Sequence, residues 1–144
     1  MICNISIKLP MWCAATAIVA LGALLAFQRS SFAEDQDMSV IARASSGSLA
    51  CEIRKAAVGD AVQLTGVVSS SVALSGQVRF VLMKSGPSGN SNISQGNAFE
   101  LAAGAEDHVS HVTINLQHGD HAVVEFVATP KDGVACHATA NLEF

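Results

Sequence analysis

Ser110-His111-Val112-Thr113-Ile114-Asn115-Leu116-Gln117 is the stretch that decides the fold class. Val112, Ile114 and Leu116 alternate with His111, Thr113, Asn115 and Gln117, a period of two rather than 3.6. Successive side chains of a strand point to opposite faces, so this run predicts a half-buried β-strand with its apolar set inward. The next segment repeats the pattern more weakly, with Ala122, Val124, Phe126 and Ala128 inward and Glu125 outward.

The same rhythm extends in both directions. Leu49–Lys55 runs to the turn at Gly59-Asp60. Ala61–Ser69 offers Val62, Leu64 and Val68 to a core, and Gln77–Lys84 offers Val78, Phe80 and Leu82. Ser85-Gly86-Pro87-Ser88-Gly89-Asn90 is a strong breaker, followed by Asn92–Leu101 and Ala103-Gly104. His118-Gly119-Asp120 separates the fifth and sixth strands, and Pro130–Gly133 leads to Val134–Leu142. Seven short strands at roughly 8–12-residue spacing predict an all-β chain, a seven-stranded immunoglobulin-like β-sandwich over residues 49–144. Residues 34–48 are polar, rich in Asp, Ser and Ala, and weakly periodic, which predicts a flexible leader.

The first thirty-three residues have the layout of a secretory signal peptide. Lys8 supplies a positive start, MWCAATAIVALGALLAF (Met11–Phe27) an apolar run, and Ser31 and Ala33 the small residues of a cleavage site after Ala33. The run is short for a membrane span of about 20 residues, which disfavours a retained anchor. Cys13 lies inside the apolar run with no small residues before it, which disfavours a lipoprotein. Removal of Lys8 and Arg29 from the eight basic residues leaves six against twelve carboxylates, a mature formal charge of −6. Such an acidic domain lacks the basic stripe that nucleic acid requires, and the mature form is expected to be free of the membrane.

Of four cysteines, Cys51 and Cys136 remain after cleavage. In an oxidising compartment an even pair in a small domain predicts a disulfide, worth roughly 4–5 kcal/mol in the chain-entropy model. Neither cysteine lies in C-x-x-C, which disfavours a redox couple or a metal pair. Cys51 shares a strand side with Leu49 and Ile53, and Cys136 with Val134 and Leu142, so both thiols are expected to face the core, on first and last strands that are neighbours. The domain is not of antibody type: the one Trp is Trp12, and the cysteines are not on the second and sixth strands.

Five histidines are many for this length. His108 and His111, and His118 and His121, are each three apart. On a helix that spacing gathers metal ligands; on a strand, residues three apart face opposite ways, which predicts solvated histidines rather than a site. Asp107 and His108 with a serine suggest a triad, yet there is no G-x-S-x-G elbow. Gly86-Pro87-Ser88-Gly89 lacks the G-K-[ST] and following helix of a phosphate loop. The residues therefore point to a non-enzymatic binding or scaffolding module with no cofactor and no metal.

Phe80–Leu101, FVLMKSGPSGNSNISQGNAFEL, resembles the curli-assembly chaperone family, the CsgC/CsgH-like periplasmic proteins. The matching features are a basic strand end at Lys84, the loop residues Gly86, Ser88 and Gly89, and a Ser-rich strand with Ser91 and Gln95. The likeness of layout spans about Cys51 to Phe144. The CsgC branch carries Cys-x-Cys on the strand before this loop, where Leu74 and Gly76 stand here, so the resemblance points to the CsgH-like branch and removes a redox argument. It implies a seven-stranded immunoglobulin-like domain in the periplasm that keeps a secreted amyloid-fibre subunit from nucleating before export; the protein is expected to be a monomer.

For client binding the sequence suggests the outward set Gln77, Arg79, Val81 and Met83 with Lys84 at its end, a basic and soft apolar patch on an acidic protein, joined by Ser91 and Gln95. Strand addition to an exposed edge is a second route. Rival readings are a periplasmic metal-binding module using the histidines and a minor subunit of a surface fibre.

Overall fold

The computed structural model describes residues 37–144. In chain order the strands are β1 Ser39–Ser46, β2 Leu49–Val58, β3 Ala61–Ser70, β4 Leu74–Ser85, β5 Ser91–Leu101, β6 Glu106–Asn115, β7 His121–Pro130 and β8 Cys136–Glu143. They form two antiparallel sheets, sheet A in the order β1-β2-β3-β6 and sheet B in the order β5-β4-β7-β8. The expected signal peptide lies outside the described residues.

Each of the seven expected strands has its counterpart in β2 to β8, and the period of two explains the packing. In β8 burial alternates strictly, with Cys136, Ala138, Ala140 and Leu142 buried, and β7 buries Ala122, Val124, Phe126 and Ala128. The inner faces of both sheets meet in one core around Phe80, Phe126, Ile53, Leu64 and Leu82. The rings of Phe80 and Phe126 sit 5.9 Å apart at a tilt of 55°, the inclined arrangement that aromatic quadrupoles favour. Phe126 also reaches across to sheet A, where a Cβ on Gly66 would lie 2.8 Å from its ring. The missing side chain is the socket for this ring.

The count of seven strands and the flexible leader are both corrected by β1. Within residues 34–48, Ser39–Ser46 pairs antiparallel with β2, from Ser39 opposite Lys55 to Ser46 opposite Leu49. Gly47, with φ +60, is the first of the two linking residues, the position at which a tight hairpin turn requires glycine. A register shift between Val40 and Ala42 breaks the alternation of β1, which is why its sequence carries so little periodicity.

Cys51 and Cys136 are bridged, with their Cα atoms 6.1 Å apart. Their strands are not side by side as expected: β2 belongs to sheet A and β8 to sheet B, so the bridge staples the two layers through the core. Val134 does not share the inward side with Cys136. It precedes β8, after the turn ending at Gly133, and is 74% exposed.

Candidate functional site

β4 runs through the middle of sheet B, and its alternation sets up the outer face. Val78, Phe80 and Leu82 are buried inward, so Gln77, Arg79, Val81 and Met83 project outward. Across the neighbouring strands Arg79 sits between Gly96 of β5 and Val127 of β7; Val81 lies between Ser94 and Glu125, and Met83 between Asn92 and Val123. No carboxylate stands directly opposite Arg79, and it forms no ion pair among the described residues. Met83 is 41% exposed. Gly96 and Ala98 offer little side chain at this end of β5. The result is a hollow of about 480 Å³ lined by Gln77, Arg79, Ala98, Val127, Thr129 and Lys131. Lys131, whose N–H donates to the Ser75 carbonyl at 2.9 Å, is a second cation with no ion pair there. The turn that carries it gave no sequence signal of a site.

Lys84 belongs elsewhere. The same alternation that turns Arg79 and Met83 outward turns Lys84 inward with Leu82, and its side chain is only 8% accessible. Its Nζ lies 3.2 Å from Asp120 Oδ2 and donates to the Asn115 carbonyl at 2.9 Å and to Ser88 Oγ. Asp120 is fully buried and accepts from the Ser88 hydroxyl, from Ser88 N–H at 3.1 Å and from Gln117 N–H at 2.9 Å. The Ser88 hydroxyl, the backbone N–H groups and the Lys84 ammonium all favour the charged carboxylate. They hold it well below the usual range against the opposing effect of burial. Lys84 and Ser88 are thus the inner parts of a buried ionic node that ties the Gly86–Gly89 loop to the His118–Asp120 turn. Period-two reading alone would have placed Lys84 with Leu82; Asp120 carried only a turn signal.

Ser91 and Gln95 are not brought to Arg79 either. On β5 the outward residues are Asn92, Ser94, Gly96 and Ala98, whereas Ser91 and Gln95 share the other side with the buried Phe99 and Leu101. Ser91 pairs with Lys84, and Gln95 Nε2 donates to the His111 carbonyl of β6 at 3.1 Å. Of the six proposed client-binding residues, the fold groups Arg79, Val81 and Met83 on one face.

The sequence model of the CsgH protein family matches residues 50–138, from within β2 to within β8. This chain belongs to the CsgH family. Among solved structures, the solution structure of R. palustris CsgH is similar at 23% identity and a TM-score of 0.51, over 66% of this chain and 91% of that one. The E. coli curli protein CsgC, in its SeCys form, is similar at 17% identity and a TM-score of 0.53, over 67% of this chain and 97% of that one. At these identities the likeness speaks for the fold. No curated protein matches the sequence.

Within this CsgH-family domain, the positions of the Cys-x-Cys resemblance open β4. Leu74 is half-buried, and Gly76 packs so tightly on the Thr129–Pro130 backbone that any Cβ there would collide with it. On this backbone position 76 has no room for a thiol. His108 and His111 depart from the expectation of opposite faces. Val109 is an extra residue in β6, so His108 stands opposite Val67 and His111 opposite Thr65, two positions on one face of β3. His108 Nε2 lies 3.2 Å from Glu106, and no three His, Cys, Asp or Glu side chains converge as metal ligands among the described residues.

Proposed function

We propose that this protein is a periplasmic chaperone that delays nucleation of a curli-type amyloid fibre subunit by non-covalent binding to the outer face of sheet B. The observation that carries this reading is Arg79, a cation with no carboxylate partner, set beside Val81 and Val127 at a hollow that Lys131 also lines, with the exposed Met83 four residues further along the same face of β4. On a domain of net negative charge, an unpaired positive spot steers an acidic segment of a disordered chain toward itself. The adjoining valines and Met83 then cover apolar residues that would otherwise enter a cross-β stack. Family membership supports the choice of client, and the Cys51–Cys136 bridge is consistent with an oxidising compartment. The route there is the signal peptide, cut after Ala33; intact mass of periplasmic material beginning at Glu34 is the expected result, and a species retaining residues 1–33 refutes it.

The functional experiment is the thioflavin lag time of a purified curli-type subunit with wild-type protein, Arg79→Glu and Arg79→Glu/Lys131→Glu, at two ionic strengths. Wild type is expected to extend the lag, more at low salt, because the Debye length shrinks to about 8 Å near physiological strength. The double variant is expected to lose most of the extension while melting normally. Equal extension by a folded double variant overturns this face as the site.

A further inference from the structure

The two sheets meet at a seam where edge strand β5 of sheet B faces edge strand β6 of sheet A. No backbone ladder closes it. Side chains from sheet B reach over instead. Asn97 Nδ2 donates to the Val109 carbonyl at 2.7 Å, Gln95 Nε2 to His111 at 3.1 Å, and Lys84 Nζ to Asn115 at 2.9 Å. These bonds identify the residues of β6 that face the open edge. In an antiparallel strand the N–H and C=O of one residue point to the same side, and alternate residues share it. The N–H groups of His111 and Thr113 therefore face the seam, and neither finds a side-chain or loop acceptor among the described residues.

Beside this edge lies a groove of about 680 Å³ lined by Gln95, Asn97, Asp107, His108, Ser110 and His111. Ser110 is 3% exposed, and its hydroxyl is the one buried side-chain polar atom without a hydrogen-bond partner among the described residues. The Ser110 hydroxyl lies buried beneath the β6 wall, and the unmet donor that this wall presents is the edge-facing N–H of His111. The other wall carries the side-chain amides of Gln95 and Asn97, each of which spends one N–H on a β6 carbonyl and keeps further donor and acceptor capacity. An apolar occupant would leave these groups unsatisfied, and an anion would meet Asp107. A peptide backbone, with one acceptor and one donor per residue, answers both walls.

We propose that the β5–β6 seam docks one extended, uncharged segment of a disordered polypeptide alongside β6, its carbonyls accepting from His111 and Thr113 N–H. From Asp107 to His111, four residue steps, the groove spans about 13 Å at ~3.3 Å per residue, room for about five residues, and Thr113 lies two positions past its end on the same edge. Only the identity of the partner, the fibre subunit, rests on the chaperone reading.

The test is backbone amide exchange of the mature protein, followed by NMR, with a purified monomeric curli-type subunit as the probe. Exchange at His111 and Thr113 is expected to slow roughly tenfold or more in the complex. His111→Pro, which removes an edge-facing N–H and no ladder bond to β3, is expected to weaken binding at least fivefold, a loss that His111→Ala does not reproduce. If His111→Pro does not fold, the wild-type exchange decides. Longer lag times with unchanged exchange at both amides overturn the seam and leave the Arg79 face standing. Slowed exchange without lag extension supports the seam and overturns the chaperone reading, and absence of both effects overturns both.

Discussion

The outer faces of the two sheets both carry arginine, and they use it differently. On sheet A, Arg43 meets Glu52 at 2.5 Å, Glu52 meets Arg54 at 2.9 Å, and Arg54 forks onto both oxygens of Glu106 at 2.8 and 2.7 Å, with His108 closing the chain. This strip of alternating charge lies over Thr65 and Val67, the latter 1% exposed although it points away from the core. On sheet B, Arg79 has a glycine and a valine for directly opposite cross-strand neighbours and no carboxylate, and Met83, four residues further along the same face, stays open to solvent. A charged face becomes a lid when each guanidinium is consumed by the protein's own acids. It becomes a contact surface when one is left over. Counting charges could not separate the two; pairing does.

The sharpest way to break this contrast is to treat Lys84 as if it were Arg79. Lys84→Glu places a second carboxylate beside buried Asp120 and is expected to abolish the cooperative melting transition, whereas Arg79→Glu is expected to shift stability by no more than about 0.5 kcal/mol. Thermal melts of the two single variants decide it; similar curves would mean that Lys84 is solvated after all. Next in size is the staple between the sheets. Cys51→Ser is expected to cost about 2–5 kcal/mol by denaturant titration, with thiol labelling of the unfolded, unreduced wild type showing no free thiol at Cys51 or Cys136.

A smaller effect tests the lid itself. Arg54→Ala is expected to cost about 1–2 kcal/mol, because it leaves the buried Glu52 with one partner fewer and uncovers Val67. It should leave amyloid lag times untouched, and a functional loss equal to that of Arg79→Glu would erase the distinction between the faces.

Acid provides the finest comparison. The Arg54 hydrogen bonds hold Glu106 below its ordinary value of 4.5, and the Ser88 hydroxyl bond leads those that hold Asp120 further below its ordinary 3.8. A carboxylate depressed on folding contributes stability above its unfolded value and loses it as pH falls through its folded one. The contribution of Glu106 should therefore begin to fade below about pH 4.5, and that of Asp120 should persist to lower pH. Carboxyl titration by NMR is expected to show Glu106 protonating before Asp120; the reverse order refutes the ranking.

Much of this was legible from local pattern. Val112-Thr113-Ile114-Asn115 announces a strand because burial on one face imposes a period of two, and the same period assigns Arg79, Val81 and Met83 to one face of β4. β1 escaped because its bulge and its small residues Ala42, Ala44 and Ser45 blur that period, although Gly47-Ser48 offered a hairpin turn. The burial of Lys84 is hidden in the sequence because a lysine at a strand end is ordinarily solvated, and its partner Asp120 is 36 residues away.

The sequence by itself determined the strand class, the core-facing set and the two cysteines available to bridge, since these follow from the chemistry of single residues and a repeat that needs no partner. Only the tertiary structure decided that Cys51 and Cys136 join opposite sheets, that Lys84 is consumed by Asp120 while Arg79 is not, and that Gln95 and Asn97 reach the free edge of β6. Each of those depends on which strands are packed together. The free energy of a charge or an amide is set by what lies within a few ångströms of it, and for these residues that neighbour comes from another strand.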